Sequence, residues 1–373
     1  MARGRTMLKF LFIRYAARAS KAGKRNRLPG FAGKPHGLRL FLLSAGLFLL
    51  LAPIATAEDG LPFDYNLGPG VLQMRSQSPT QSIRLSLPSV IPGDFGEGWS
   101  VMTGASWTNV WSNEREFLLD YEMMDVHAAA AYAVNKRLHI GLFFDERLHI
   151  SGAMDGFIEG FHDFFGIGQD GRDLAKNGQT RVIIRDKSGN VIVDMHDVDR
   201  MDNQGIGLLA QVIPFWGNEW LPAVGLYGIA RYALNHPSGQ DDSDRLNTGF
   251  GLGLSKRLAS RWYAYGSMGY AFYGQTVFNE NGHTLELKDR SLSGSLAFTY
   301  NVTPSLALIL QYIYNEATLK NCGGLSEDSH EFNLGVKWRF RKYDTLEFSL
   351  IENFITYDNS PDFGLHLAYA FKI

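Results

Sequence analysis

Cysteine is nearly absent: Cys322 stands alone among 373 residues, so no intrachain disulfide can staple this chain. Long apolar runs are as scarce. Past residue 57, no stretch reaches the roughly eighteen uninterrupted apolar residues that a membrane helix needs. Bases also thin out. Of 36 Lys and Arg, eleven lie in the first 57 residues, which hold no acid; the remaining 25 face 38 acids, a net charge near −13. So acidic a body excludes nucleic acid as a partner and disfavours an anionic membrane surface. Recognisable catalytic motifs are missing too. His149, His162, His236 and His283 fall in or near predicted loops among many serines, but no motif joins them. No catalytic residue, metal site or cofactor is therefore assigned.

What is present begins with Leu40 to Ala57, LFLLSAGLFLLLAPIATA. An apolar run behind a basic region, ending with Ala55 and Ala57 at the two small-residue positions, predicts a cleaved signal peptide over 1–57. A retained anchoring helix is the alternative, and the long basic region allows a start at Met7 or later. From Glu58 to about Gly98 the chain is rich in Gly, Pro and Ser. Ile83, Leu85 and Leu87 alternate, but Pro88 restricts any strand there to an edge. The segment 58–98 reads as a periplasmic or lumenal arm, with a first barrel strand as runner-up.

The clearest pattern is DRSLSGSLAFTYNVTPSLALILQYIYN, Asp289 to Asn315. Leu292, Leu296, Phe298 and Tyr300 alternate with Ser, Ala and Thr, and the alternation resumes through Leu306, Leu308, Leu310, Tyr312 and Tyr314. A period of two means strands, because successive side chains leave on opposite faces. The pieces are about the length that crosses a bilayer at a tilt. Twelve are expected: 99–111, 122–134, 138–148, 203–213, 221–233, 246–257, 261–273, 289–301, 304–316, 328–340, 343–355 and 362–373. Short and long connections alternate between them, and Phe215, Trp216, Trp220, Trp262, Trp338 and Phe340 form an aromatic girdle at the short-turn end. The fold class is an all-β, antiparallel, up-and-down transmembrane barrel over 99–373, with a long outer loop at 149–202. Fourteen strands are the alternative, because RVIIRDKSGNVIVDMHD within that loop carries a hairpin signal; its short, charged arms favour a ribbon outside the membrane. An exported barrel of this kind belongs in the outer membrane of a Gram-negative cell. Its partners are outer-membrane lipid, lipopolysaccharide and the barrel-assembly machinery, which would read the last strand, GLHLAYAFKI; that strand ends in Ile instead of an aromatic.

Two stretches carry a family resemblance. One is Gly68-Pro69 followed by Arg75-Ser76-Gln77-Ser78-Pro79; the other runs from Asn135 through LHIGLFFDERLHISGAMDGFIEGFHDFFGIGQDGRD to Asp173. They resemble an uncharacterised proteobacterial outer-membrane family catalogued as a domain of unknown function, DUF3187. The resemblance implies a barrel and supplies no activity.

Two clusters stand out on the residues themselves. If 122–134 and 138–148 form a hairpin with greasy side chains outward, His127 lies opposite Asp145 and Asp125 opposite Arg147, all facing the lumen. Opposite charges across an antiparallel pair attract; the cluster is either a polar ring contacting a solute or a ladder that tightens the wall. The second cluster is Met154 to Phe165. Phe157, Ile158, Phe161 and Phe165 recur at helical spacing, and so short a helix must dock to persist. Docking over the mouth, as a lid or partial plug, is the preferred expectation; plain loop packing is the other. Passage of small solutes is the preferred function. A structural or surface barrel without transport, and a lipid hydrolase or acyltransferase, are the alternatives.

Overall fold

The computed structural model describes residues 62–373 apart from 94–97, 151, 153, 157, 159, 161–177, 179, 186–187, 197–201, 238–239, 241–244, 281, 354 and 356–357. The signal-peptide expectation, with Ala55 and Ala57, lies outside the described residues. The alternating stretches form strands: β1 (Gly98–Asn113), β2 (Phe117–Ala133), β3 (Leu138–Ile150), β4 (Arg181–Arg185), β5 (Val191–Met195), β6 (Asn203–Phe215), β7 (Ala223–Asn235) and β8 (Leu246–Arg257). They continue with β9 (Trp262–Tyr273), β10 (Val277–Glu280), β11 (His283–Glu286), β12 (Arg290–Asn301), β13 (Leu306–Asn315), β14 (Ser329–Arg339), β15 (Asp344–Glu352) and β16 (Phe363–Lys372).

Twelve of these close into an antiparallel barrel, because β1 pairs with both β2 and β16. The remaining four stand outside the closed wall. β4 and β5 form a hairpin that joins the top of β2, with Phe117 opposite Ile184 and Asp120 opposite Arg181. This settles the choice between twelve and fourteen strands in favour of a twelve-strand wall with an added ribbon. It also explains why β2 starts at Phe117, ahead of the expected 122: the extra turn of strand has a partner. β10 and β11 pair with each other in the loop after β9.

The pleat sorts the side chains as a bilayer requires. On β12, β13 and β14, Leu296, Phe298, Leu308, Leu310 and Leu334 are exposed, whereas Ala297, Ile309, Gln311 and Asn333 between them are buried inside. Exposed leucines beside buried amides reverse the order of a soluble protein and fit a lipid-facing exterior. Aromatic pairs mark the short-turn end: Trp99 on Tyr132, Trp262 on Tyr300 and Trp338 on Phe340. Trp216 departs from the expected girdle. It is buried beneath Phe63, ring centroids 5.4 Å apart, because the segment before β1 covers it. Among the described residues, no helix is long and apolar enough to cross a membrane.

That preceding segment, residues 62–93, fills the interior. It climbs from the short turns, bends through helix α1 (Pro79–Ser82) and descends again. Leu67, Leu72, Met74, Leu85 and Leu87 are buried along it. The wall is thinned to receive it: a Cβ at Gly253 would overlap the Val90 carbonyl oxygen, and Cβ atoms at Gly249 and Gly269 would press on Leu87. At the long-loop end an apolar cluster closes the mouth. Phe117 and Met123 of β2, Val193 of β5, Phe278 of β10, and Leu319 and Leu325 meet there, with Ile83 of the arm packed beneath.

Candidate functional site

The arm is held by polar side chains projecting inward from almost every strand. At the short-turn end Asn66 Nδ2 donates to the Trp216 and Asn218 carbonyls, and Ser255 and Tyr265 hydroxyls donate to the carbonyls of Asn66 and Leu67. Higher up, Lys337 Nζ donates to the Val71 carbonyl at 2.5 Å while pairing with Glu347 at 2.9 Å. The Leu72 amide donates to Gln311, and the Gln73 amide to Glu347, both at 2.8 Å. Backbone groups that would form a ladder in a strand are satisfied here by side chains, as burial demands.

The densest contacts fall on Arg75-Ser76-Gln77-Ser78-Pro79. The Arg75 guanidinium pairs with Asp125, and its Nη1 lies 3.2 Å from Asp145. The Ser76 hydroxyl and the Gln77 amide both donate to Glu331, and Gln77 Nε2 donates to Asp125 at 3.0 Å. Ser78 caps α1 and donates to Asn359; Pro79 takes the first helical position, where a missing N–H costs nothing. One of the two stretches that resembled a family is thus the segment that seats the arm.

The wall beneath this segment is the hairpin of β2 and β3. Asp125 stands opposite Arg147 and His127 opposite Asp145, all buried and facing inward. Arg147 Nη2 lies 3.5 Å from Asp125 and donates to the Ser76 carbonyl at 2.6 Å. Arg231 of β7 donates twice to Asp145, at 3.0 and 2.7 Å. Three arginines thus share two aspartates, with Glu331 close by on the arm's other side. His127 lies parallel to His366 with centroids 6.1 Å apart, and His366 shares a hydrogen bond with Ser106. The strand pattern places Arg231 on the lumen side but does not join it, Arg75 or Glu331 to this group. Inward parity on the strands marks Arg231 and Glu331, but nothing local in the sequence marks Arg75 as their partner.

The described residues between Met154 and Gly160 are placed differently from the preferred expectation. Asp155, Gly156, Ile158 and Gly160 are helical, and Ile158 is fully buried. Its neighbours are Trp107, Leu350, Phe363 and Leu365, residues of outward parity on β1, β15 and β16. The Met154 amide and the Trp107 indole both donate to Glu122, another outward-facing residue. This part of the loop covers the outside of the wall near its long-loop rim. Phe157, Phe161 and Phe165 lie outside the described residues.

Between the arm and the wall, in the half of the lumen nearest the short turns, lies a cavity of about 400 Å³. Arg75, His127, Asp145, Lys337 and Glu347 border it, together with small and apolar residues of β1 to β3. Among the described residues, no group of His, Cys, Asp and Glu is arranged to hold a metal ion. The arrangement supplies hydrogen bonds, charge and a shaped space, so it can bind and exclude.

The family model described as a protein of unknown function, DUF3187, matches residues 50–373. No curated protein matches the chain. Among solved structures, an outer membrane channel from Pseudomonas putida F1 is similar at 15% identity and a TM-score of 0.47, covering 76% of this chain and 100% of that one. The toluene transporter TbuX of Ralstonia pickettii is similar at 11% identity and a TM-score of 0.38, covering 84% and 98%. The NanC porin is similar at 8% identity and a TM-score of 0.42, covering 74% and 100%.

Proposed function

The chain belongs to the DUF3187 family, and we propose that it is an outer-membrane channel for small solutes, held shut by its own N-terminal arm. The observation that carries this reading is the manner of the arm's attachment. Residues 62–93 contain no strand among those described, so the arm lies in the wall's interior without belonging to it. Beside apolar packing of Leu72 and Met74 near Ile309, Ile313 and Ile351, its polar contacts with β2, β3, β13, β14 and β15 are side-chain hydrogen bonds and ion pairs, which water or a solute can replace. A closed wall lined by polar groups, with a separable occupant, has the construction of a gated conduit. The short turns then face the periplasm and the long loops the exterior, and a cleaved signal would deliver the chain there.

The helix-bearing loop does not take the role of plug in this reading, because Ile158 packs on the outside of the wall. A permanently closed, structural barrel is the second reading, favoured by the apolar cluster across the long-loop mouth. Planar-bilayer recording separates the two. The mature protein should conduct weakly, and a variant lacking 62–93 should open large steps. Silence from an arm-free barrel that still shows the heat-modifiable mobility of a folded barrel would leave the structural reading standing.

A further inference from the structure

We infer that the cavity between the arm and the wall of β1 to β3 is a binding site for a small amphipathic molecule, with an apolar body and one oxygen-bearing end. The inference deepens the channel reading by naming the class of solute, and it rests on that reading only for the step from binding to passage. The lumen of a water-filled barrel is polar. Here Met102, Ala129, Ala131, Phe143, Leu209 and Ile229 lay hydrocarbon along the cavity. Such a surface gives nothing to a hydrated ion or a sugar and gains by covering apolar atoms. At about 400 Å³ the space lies toward the small end of ligand sites.

The polar end follows from three other atoms. Arg75, Ser86 and His127 all border the cavity, and they are only 9%, 1% and 8% exposed. Arg75 Nε, Ser86 Oγ and His127 Nδ1 are each buried without a hydrogen-bond partner among the described residues. Buried polar atoms are nearly always paired, so three on residues that border one cavity leave hydrogen-bonding capacity for a ligand group there. Arg75 Nε can only donate, the Ser86 hydroxyl can donate or accept, and His127 Nδ1 does either according to its tautomer. The group that suits them is an oxygen that accepts, as in a hydroxyl, a carbonyl or a carboxylate. Arg75 already shares Asp125 and Asp145 with two further arginines, so the experiment must separate a neutral end from an anionic one.

The test uses the mature full-length protein in lipid nanodiscs, titrated calorimetrically with 1-octanol, octanoate and sucrose, against empty nanodiscs. Saturable one-site binding of octanol, octanoate or both, with none of sucrose, is expected, and the better ligand identifies the charge of the end. Ser86→Ala should weaken that binding roughly fivefold, the loss of one neutral hydrogen bond. Ala131→Phe fills the space and should abolish saturation; Ala129→Val is a milder filling variant and should weaken it. Uptake no different from empty nanodiscs, or wild-type affinity in a folded filling variant, would overturn the inference. Bilayer conductance of the arm-free barrel is read separately. Binding without conductance removes the channel and keeps the site; conductance without binding does the reverse.

Discussion

Arg75 and Asp145 join the arm to the wall: the guanidinium Nη1 lies 3.2 Å from the carboxylate, and both side chains are nearly fully buried. Neither group belongs to the other's element, and Asp145 is also held by Arg231. Removing Arg75 leaves Asp125 with Arg147 and Asp145 with Arg231, so the wall keeps its charge balance while the arm loses hydrogen bonds to charged groups, worth about 1.5–3 kcal/mol each. Arg75→Ala should therefore release the crest of the arm. Channel openings should become frequent in bilayers, and the arm should become a site of proteolysis. An R75A protein that stays silent, with a protected arm, would show that Arg75 does not latch the plug.

Gly253 offers a way to unseat the arm without touching charge. Any side chain there meets the Val90 carbonyl, in a wall packed too closely to yield without cost. Gly253→Val should raise conductance while Arg75 and its partners remain intact. Gly294 on β12, of the same outward parity as Leu296, has no arm atom within contact of an added Cβ, and Gly294→Ala should leave conductance unchanged. Equal conductance from both variants would mean the descending leg does not obstruct the path.

Leu308 tests the outward face. It is 45% exposed on a strand whose next inward residue, Ile309, is fully buried. Leu308→Arg should destabilise the barrel in vesicles by roughly 2–4 kcal/mol, read by urea titration, whereas Leu308→Ala should cost much less. A tolerated arginine would place this face in water.

Ile158 separates an external brace from a lid. Ile158→Asp should lower the temperature at which the folded band is lost on gels, because it buries a charge against Phe363 and Leu365. Single-channel conductance of the folded fraction should not change. A rise in conductance would return this loop to the mouth.

Cys322 reports on the cap. It is buried beside the apolar cluster, and burial, reinforced by Glu116, pushes its thiol up to about 11 from an ordinary 9.0. The folded value is raised, so the neutral thiol's contribution is complete below pH 9 and is lost as pH climbs toward 11. Iodoacetamide labelling of the folded protein should be slow at pH 7 and accelerate through that window as the thiol ionises. Rapid labelling at pH 7 would show an open mouth.

The wall is legible in the sequence because its information is local. Period two marks the twelve strands, and turning the greasy side chains outward is enough to set Asp125 against Arg147. The arm is not legible in the same way. Many of its partners, such as Trp216 for Asn66 and Gln311 for Leu72, are separated from it by well over a hundred residues, and the positive φ at Gly68 and Gly70 together with Pro88 breaks its period. The loop is half legible. Helical spacing flags Ile158 as needing cover, yet a rim covered by a loop and a rim facing lipid both show outward hydrophobic residues such as Phe363 and Leu365. Glu122 is the overlooked signal, since a carboxylate of outward parity needs something over it.

The arm's position also orders events in time. Residues 62–93 precede every strand of the wall in the chain, and β16 seals the wall by pairing with β1. In the finished wall every neighbouring pair is laddered, so there is no side entrance for a hairpin whose crest sits deep in the lumen. Either the arm is already inside when β16 meets β1, or it must thread upward from the short-turn end past Trp216 and Tyr265. The first route makes the arm a mandrel: the polar groups of each arriving strand find their hydrogen-bond partners on a segment already there.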